Sequence, residues 1–203
     1  MKSLVILGVP RSGKTTLAKN ILDLFSADGN TVSFLSADAI IGGFTNVQKQ
    51  NLFWRIFVRP LRHIFPKMHA HTKVLRIHQM PAFVGRFINE TSDITPVVYE
   101  GAYITPDDAY KIFDQKKCMI VAIGYPNCTV ESKVRDIKRF DKKTPYATCK
   151  TERLTSIIKS NIELSKKMEK MAKKHKVMFI DTSTDYTRTI QKAARDIYKK
   201  LSK

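Results

Sequence analysis

Gly8-Val9-Pro10-Arg11-Ser12-Gly13-Lys14-Thr15 spells the complete phosphate-loop pattern G-x-x-x-x-G-K-[ST], and Thr16 follows it. Upstream, Leu4-Val5-Ile6-Leu7 is an apolar run that suits a buried strand. Downstream, Leu17, Ile21, Leu22 and Phe25 recur at helical spacing. Strand, glycine-rich turn and helix form the context in which this pattern has a mechanism. Gly8 and Gly13 let the chain wrap tightly, so that successive N–H groups point inward at phosphate oxygens. The helix N-terminus adds its partial positive charge. Lys14 is then placed for the β- and γ-phosphates, and the Thr15 hydroxyl for Mg²⁺. The segment containing Gly8, Pro10, Arg11, Ser12, Gly13, Lys14, Thr15 and Thr16 predicts a nucleoside-triphosphate site.

Outward from this loop, four more apolar runs read as buried strands: Val32–Leu35, Val97–Tyr99, Met119–Ile123 and Val177–Ile180. Helical patterns separate them. Alternation of strand and helix predicts an α/β fold in three layers, a five-stranded parallel sheet with helices on both faces. Ligands of such sheets bind at the carboxyl ends of the strands. Gly8, Asp38, Glu100, Gly124-Tyr125-Pro126 and Asp181 all fall there. Residues 39–96 are too long for a plain crossover and predict a helical insertion between the second and third strands, on the substrate side. Thr105 reads as a helix N-cap with Pro106 in the first turn. Thr151 to Lys174 reads as one long helix and Thr187 to Leu201 as a closing one. No repeat, linker or second domain boundary is visible, so residues 1–203 are expected to form a single domain.

The chain has 203 residues with 36 Lys+Arg against 18 Asp+Glu, a formal net charge of +18. That excess suits a nucleic-acid partner, polyanionic small substrates, or a solvated lysine-rich surface. Met1-Lys2-Ser3 leads straight into the first strand, so no signal peptide is expected. No apolar stretch approaches the ~20 residues of a membrane span. Cys118, Cys128 and Cys149 are few and odd in number and form no C-x-x-C pair. They predict a reduced, cytoplasmic protein with free thiols.

Two acids complete the expected chemistry. Asp38, just past the second strand, faces the phosphate loop from the next strand over, where it takes a proton from an attacking hydroxyl or holds Mg²⁺ through water. Glu100 ends an apolar strand beside the loop, the place for a metal-orienting carboxylate, and Gly101 leaves room for a ligand near the backbone. Spacing alone does not divide the roles of base and metal holder between Asp38 and Glu100. After Tyr125-Pro126, Arg135, Lys138, Arg139 and Lys142 share one helical face. Such a segment, within residues 127–150, is expected to act as a lid in which Arg135 and Arg139 neutralise the transferring phosphoryl group.

These residues resemble the P-loop kinase superfamily of small-molecule, nucleoside and nucleotide kinases. The resemblance rests on Gly8 to Thr16, Asp38, Glu100-Gly101, Arg135 and Arg139 before a long helix, and Ile180-Asp181-Thr182-Ser183. It implies a five-stranded parallel sheet, an arginine lid and Mg²⁺- and ATP-dependent phosphorylation of an acceptor. It also implies that Asp181, Thr182 and Ser183 lie beside the adenine. The aspartate-arginine pair of thymidylate kinases is missing after the third strand. Glu100 lacks the following arginine of deoxynucleoside kinases, and no Asn-Lys-x-Asp motif of GTPases occurs.

The acceptor is expected between Asp38, Glu100 and the insertion. Arg55 and Arg59 lie in an aromatic-basic stretch, Phe53 to Phe65, that suits a nucleotide base and phosphate or, alternatively, an anionic membrane surface. Arg86 is a further acceptor-binding candidate. His69, His71 and His78 lack the neighbours of a zinc site. A small-molecule kinase acting on a nucleoside or nucleotide is the leading reading. A nucleic-acid-binding NTPase, a polynucleotide 5′-hydroxyl kinase and an NTP-driven switch are the others.

Overall fold

In the computed structural model the phosphate loop joins β1 (Ser3–Gly8) to α1 (Lys14–Ala27). β2 (Ser33–Ser36), α2 (Ala37–Gln50), a helix α3 over residues 80–91 and β3 (Val97–Gly101) follow. Then come α4 (Pro106–Ile112), β4 (Cys118–Gly124), α5 (Val130–Phe140), α6 (Thr151–Lys174), β5 (Met178–Asp181) and α7 (Tyr186–Leu201). The structure describes residues 1–50, 80–141 and 144–202.

The five strands form one parallel sheet in the order β2-β3-β1-β4-β5. Every carboxyl end therefore opens on the same edge. The order corrects the expectation that Asp38 faces the loop from the neighbouring strand. β3 pairs with β1, and β2 lies outside it, so Glu100 is one strand from the loop and Asp38 two. It also corrects the reading of β2 as buried. As an edge strand it exposes Ser33 and Phe34 and half-buries Leu35 and Ser36.

Alternation along the strands builds two cores. Leu4, Ile6, Val98, Val121 and Ile123 pack with Leu17, Ile21 and Phe25 of α1 and Ile190, Ala194 and Ile197 of α7. Val5, Leu7, Val97, Tyr99 and Ile120 face Val84 and Ile88 of α3, Ala109 of α4 and Leu154, Ile158 and Ile162 of α6. Thr105 caps α4 as expected, its hydroxyl accepting from the Asp108 N–H at 3.2 Å.

Gly8 ends β1 with its α-carbon against β4. A Cβ there would lie 2.4 Å from the Ile123 carbonyl oxygen, a backbone atom with no freedom to move aside. Gly8→Ala should therefore cost about 1–3 kcal/mol, as overpacking does. A thermal melt unchanged from the parent would contradict that close contact.

Candidate active site

The phosphate loop is shaped by what holds its carbonyls. The Val9 carbonyl accepts from the Ser12 N–H (3.3 Å), the Ser12 Oγ (2.9 Å) and the Lys14 Nζ (2.8 Å). Tyr125, just past β4, donates its hydroxyl to the Pro10 carbonyl at 2.9 Å. Thr182, just past β5, donates to the carbonyls of Ser12 (3.2 Å) and Gly124 (3.0 Å). With its oxygens engaged outward, the loop turns N–H groups inward. Among the described residues, no protein group accepts from the N–H of Gly13, Lys14 or Thr15. Gly13 has φ +101°, which favours glycine, and a Cβ there would meet Tyr186 at 2.7 Å. Arg11 takes φ 64° with a side chain, a strained choice that its long-range contacts maintain.

Lys14 is buried, and burial lowers its pKa to about 8; Arg11 pushes the same way, while Glu100 and Asp38 oppose. Glu100 and Asp38 are thus both electrostatic neighbours of Lys14. The strands deliver Glu100 directly: it is 5% exposed and accepts from the Ser36 hydroxyl at 2.8 Å across β2 and β3. Asp38 arrives in the first turn of α2, at the helix end that favours an anion, and is exposed. It also raises the pKa values of Tyr99 and Tyr103, whose main cause is burial. Both expected acids thus bear on Lys14, Glu100 from a buried position and Asp38 from an exposed one.

The donors fit a nucleoside triphosphate and Mg²⁺. Free loop amides and Lys14 match a phosphate chain. The exposed Thr15 hydroxyl and one or two carboxylates suit a cation that keeps several waters and takes phosphate oxygens. No cluster of three or more His, Cys, Asp or Glu exists among the described residues, so protein groups alone make no metal cage there.

Helix α5 lies in the segment expected to act as a lid. Arg135 and Arg139 of α5 are exposed, and Arg139 lies over Phe140 at 5.1 Å. The inward cation of α5 is Lys133, 8% exposed, with its Nζ 4.2 Å from the centre of the Tyr125 ring and its pKa lowered chiefly by burial. Lys138 donates instead to the Cys149 carbonyl. A second unforeseen link runs from the loop itself. Arg11 pairs with Asp141, hydrogen bonds to Thr144 and lies 5.0 Å over the Tyr146 ring. The charge count along α5 concealed these contacts, because burial of a basic residue shows only once Ile137 fixes the helix face.

The loop after β5 also has a structural occupation. Asp181 accepts from Asn127 Nδ2 at 2.7 Å and from the N–H and hydroxyl of Ser183, while Thr182 anchors Ser12. Tyr186 at the start of α7 adds a bond to the Thr16 hydroxyl at 3.1 Å. On the acceptor side, the room beside Gly101 is taken by the Tyr99 hydroxyl and Ala37, 2.3 and 2.9 Å from a built Cβ. Arg86 faces solvent and pairs with Glu90 at 2.9 Å, both highly exposed. Arg55, Arg59 and the three histidines lie outside the described residues.

No protein-family model matches the chain, and no curated protein sequence does. Solved structures match in fold. A gluconokinase from Sinorhizobium meliloti 1021 superposes with TM-score 0.52 over 99% of this chain and 95% of its own, at 14% identity. A shikimate kinase from Acinetobacter baumannii, solved with shikimate, gives TM-score 0.54 over 100% and 93%, also at 14% identity. The chain therefore has the P-loop kinase-like fold.

The lowered Lys14 pKa has a measurable consequence. Phosphate oxygens favour the protonated amine, so nucleotide binding takes up a proton wherever free Lys14 is deprotonated. Affinity should be full below about pH 8 and fall as pH rises through and above it. Calorimetry in buffers of different ionisation enthalpy checks this. Proton uptake should appear above about pH 8 and vanish in Lys14→Arg, whose guanidinium stays charged.

Proposed function

We propose that the chain is an ATP- and Mg²⁺-dependent phosphotransferase acting on a hydroxyl of a small-molecule acceptor. One observation carries this reading: two acids of different character, Glu100 buried and Asp38 exposed, both act electrostatically on Lys14 of the phosphate loop. Glu100 is buried and already accepts from Ser36. Asp38 is exposed, and among the described residues nothing donates to it. A nucleotide switch has use for the first acid alone; a kinase also needs the second, free to receive a proton.

The roles divide accordingly. Thr15 and Glu100 would hold Mg²⁺, and the loop amides with Lys14 would hold the phosphate chain. Bound there, the metal supplies charge neutralisation on the phosphate oxygens. Asp38 orients the acceptor hydroxyl and takes its proton as the acceptor oxygen bonds to the γ-phosphorus and the bond to the β–γ bridging oxygen breaks. Lys14 balances charge on the leaving side. Lys133, Arg135 and Arg139 belong to the segment that excludes water when it closes, and Arg11 of the phosphate loop pairs with Asp141 of that segment.

The fold shared with proteins named as a gluconokinase and a shikimate kinase supports a small acceptor. Among small acceptors we favour a nucleoside or nucleotide, because the insertion that supplies α2 and α3 is rich in aromatic and basic residues.

The test is ADP release from Mg²⁺-ATP with a panel of nucleosides, nucleoside monophosphates, sugar acids and short oligonucleotides. One small acceptor should stimulate release. With that acceptor, Lys14→Ala should lose at least ~10²-fold in kcat, and Asp38→Asn roughly 10²–10⁴-fold with KM for ATP little changed. Glu100→Gln should instead raise the Mg²⁺ concentration needed for half-maximal rate. Near-normal turnover in Asp38→Asn would transfer the role of base to Glu100.

A further inference from the structure

Three buried nitrogen donors gather between the phosphate loop, α5 and α6, and no acceptor answers them. Lys133 of α5 is 8% exposed; its Nζ rests on the Tyr125 ring and has no hydrogen-bond acceptor or ion-pair partner among the described residues. Asn161 of α6 is 9% exposed, and its Nδ2 is buried without a partner. The Arg11 Nε is in the same state, although the end of that side chain pairs with Asp141 and bonds to Thr144. Buried polar atoms are almost always hydrogen-bonded. Among the described residues three buried side-chain N or O atoms lack a partner, and two of them fall in this one cluster.

Tyr125 brings the three together. Lys133 Nζ lies 4.2 Å from its ring centre, and its hydroxyl donates to the carbonyl of Pro10, the residue before Arg11. Asn161 stands near that hydroxyl, where it opposes the burial that raises the Tyr125 pKa. Burial lowers the pKa of Lys133; Cys128 and Asp136 oppose, and Arg11 adds to the lowering. Buried like charges without an acceptor are unfavourable unless an anion joins them. No carboxylate of the chain does so: Asp141 pairs with Arg11, and Asp136 is exposed. A nucleotide in the loop meets the inward amides and Lys14, whereas Tyr125 holds an outward carbonyl. The cluster also reaches toward the acceptor side. Arg11 lies 5.0 Å over the Tyr146 ring, and Tyr103, whose pKa burial raises first, feels both Asp38 and Tyr146. Asp38, Tyr103, Tyr146 and Arg11 thus run in series from the base to the unanswered donors.

We propose that Lys133, Asn161 and the Arg11 Nε bind an anionic group, a carboxylate or a phosphate, carried by the phosphoryl acceptor whose hydroxyl lies toward Asp38. One ammonium, one amide N–H and one guanidinium N–H give an oxyanion several donors of fixed position, two of them charge-assisted. The proposal rests on the phosphotransferase reading above and narrows its acceptor to an acid.

The experiment is a thermal-shift titration of the full chain with inorganic phosphate, run with the phosphate loop filled by Mg²⁺ and the non-hydrolysable analogue adenylyl imidodiphosphate. Phosphate should add to the shift that the analogue gives. Lys133→Met and, separately, Asn161→Leu should each raise the phosphate Kd at least ~10-fold, as loss of a hydrogen bond to a charged group does. Without phosphate, Lys133→Met should melt no lower than the parent, since it removes an unpartnered buried charge. Asn161→Leu carries the same test if the first variant folds poorly. Phosphate that adds nothing, or that adds as much in both variants as in the parent, would overturn the proposal. ADP release is the second arm, with matched pairs: nucleoside against nucleoside monophosphate, sugar against sugar acid. The anionic member should stimulate, with its KM raised at least ~10-fold in Lys133→Met. Stimulation by neutral members alone would overturn the proposal and leave the kinase reading intact. No stimulation by any member, with phosphate still bound through Lys133, would overturn the kinase reading and with it the acceptor as the source of the anion.

Discussion

A phosphate loop works only if its N–H groups face the ligand, and a chain left to itself would turn some of them elsewhere. Here the carbonyls are secured from three sides: Ser12 and Lys14 on Val9, Tyr125 on Pro10, Thr182 on Ser12. Two of those anchors come from the ends of β4 and β5, strands that reach the loop only because the sheet runs β2-β3-β1-β4-β5. The sheet order thus determines the loop's shape, and the loop's shape determines where a phosphate chain can lie. Polar groups that bond to carbonyls in a buried setting are hard to replace, since an orphaned oxygen there costs about 1–3 kcal/mol.

The same convergence crowds positive charge. Arg11 and Lys14 lie in the loop and Lys133 close by, and both amines are discouraged from staying charged, chiefly by burial. Two counterweights are visible. Glu100 and Asp38 oppose the lowering of the Lys14 pKa, and Asp141 pairs with Arg11. A bound polyphosphate would compensate all three cations at once, which gives the ligand a large electrostatic reward for entering. The Lys14 amine meanwhile rests on the Val9 carbonyl, a contact that phosphate oxygens can replace.

Much of this was legible before any coordinates. The phosphate loop, the five strands and the long α6 are local patterns, and periodicity reports local patterns well. Thr151–Lys174 carries enough turns of one apolar face for its ends to be read directly. What escaped depends on strand order, which is non-local. Chain order places Asp38 one strand from the loop because β2 follows β1, whereas in the sheet β3 inserts between them. Arg135 and Arg139 drew notice as a basic stripe, but a stripe does not say which way a helix turns. Lys133 and Ile137 are the residues that α5 buries. Thr182, which the resemblance places beside the adenine, sets its hydroxyl on the Ser12 carbonyl, a contact that only the fold shows.

The central claim is that this site moves a phosphoryl group to a small acceptor rather than to water or to a polymer. The most direct measurement supplies ATP labelled on its γ-phosphate to the protein together with a pool of small metabolites, and follows where the label goes. The account predicts label on one low-molecular-weight organic compound, with transfer lost in Lys14→Ala. Label appearing solely as inorganic phosphate, or solely on added polynucleotide, would contradict it.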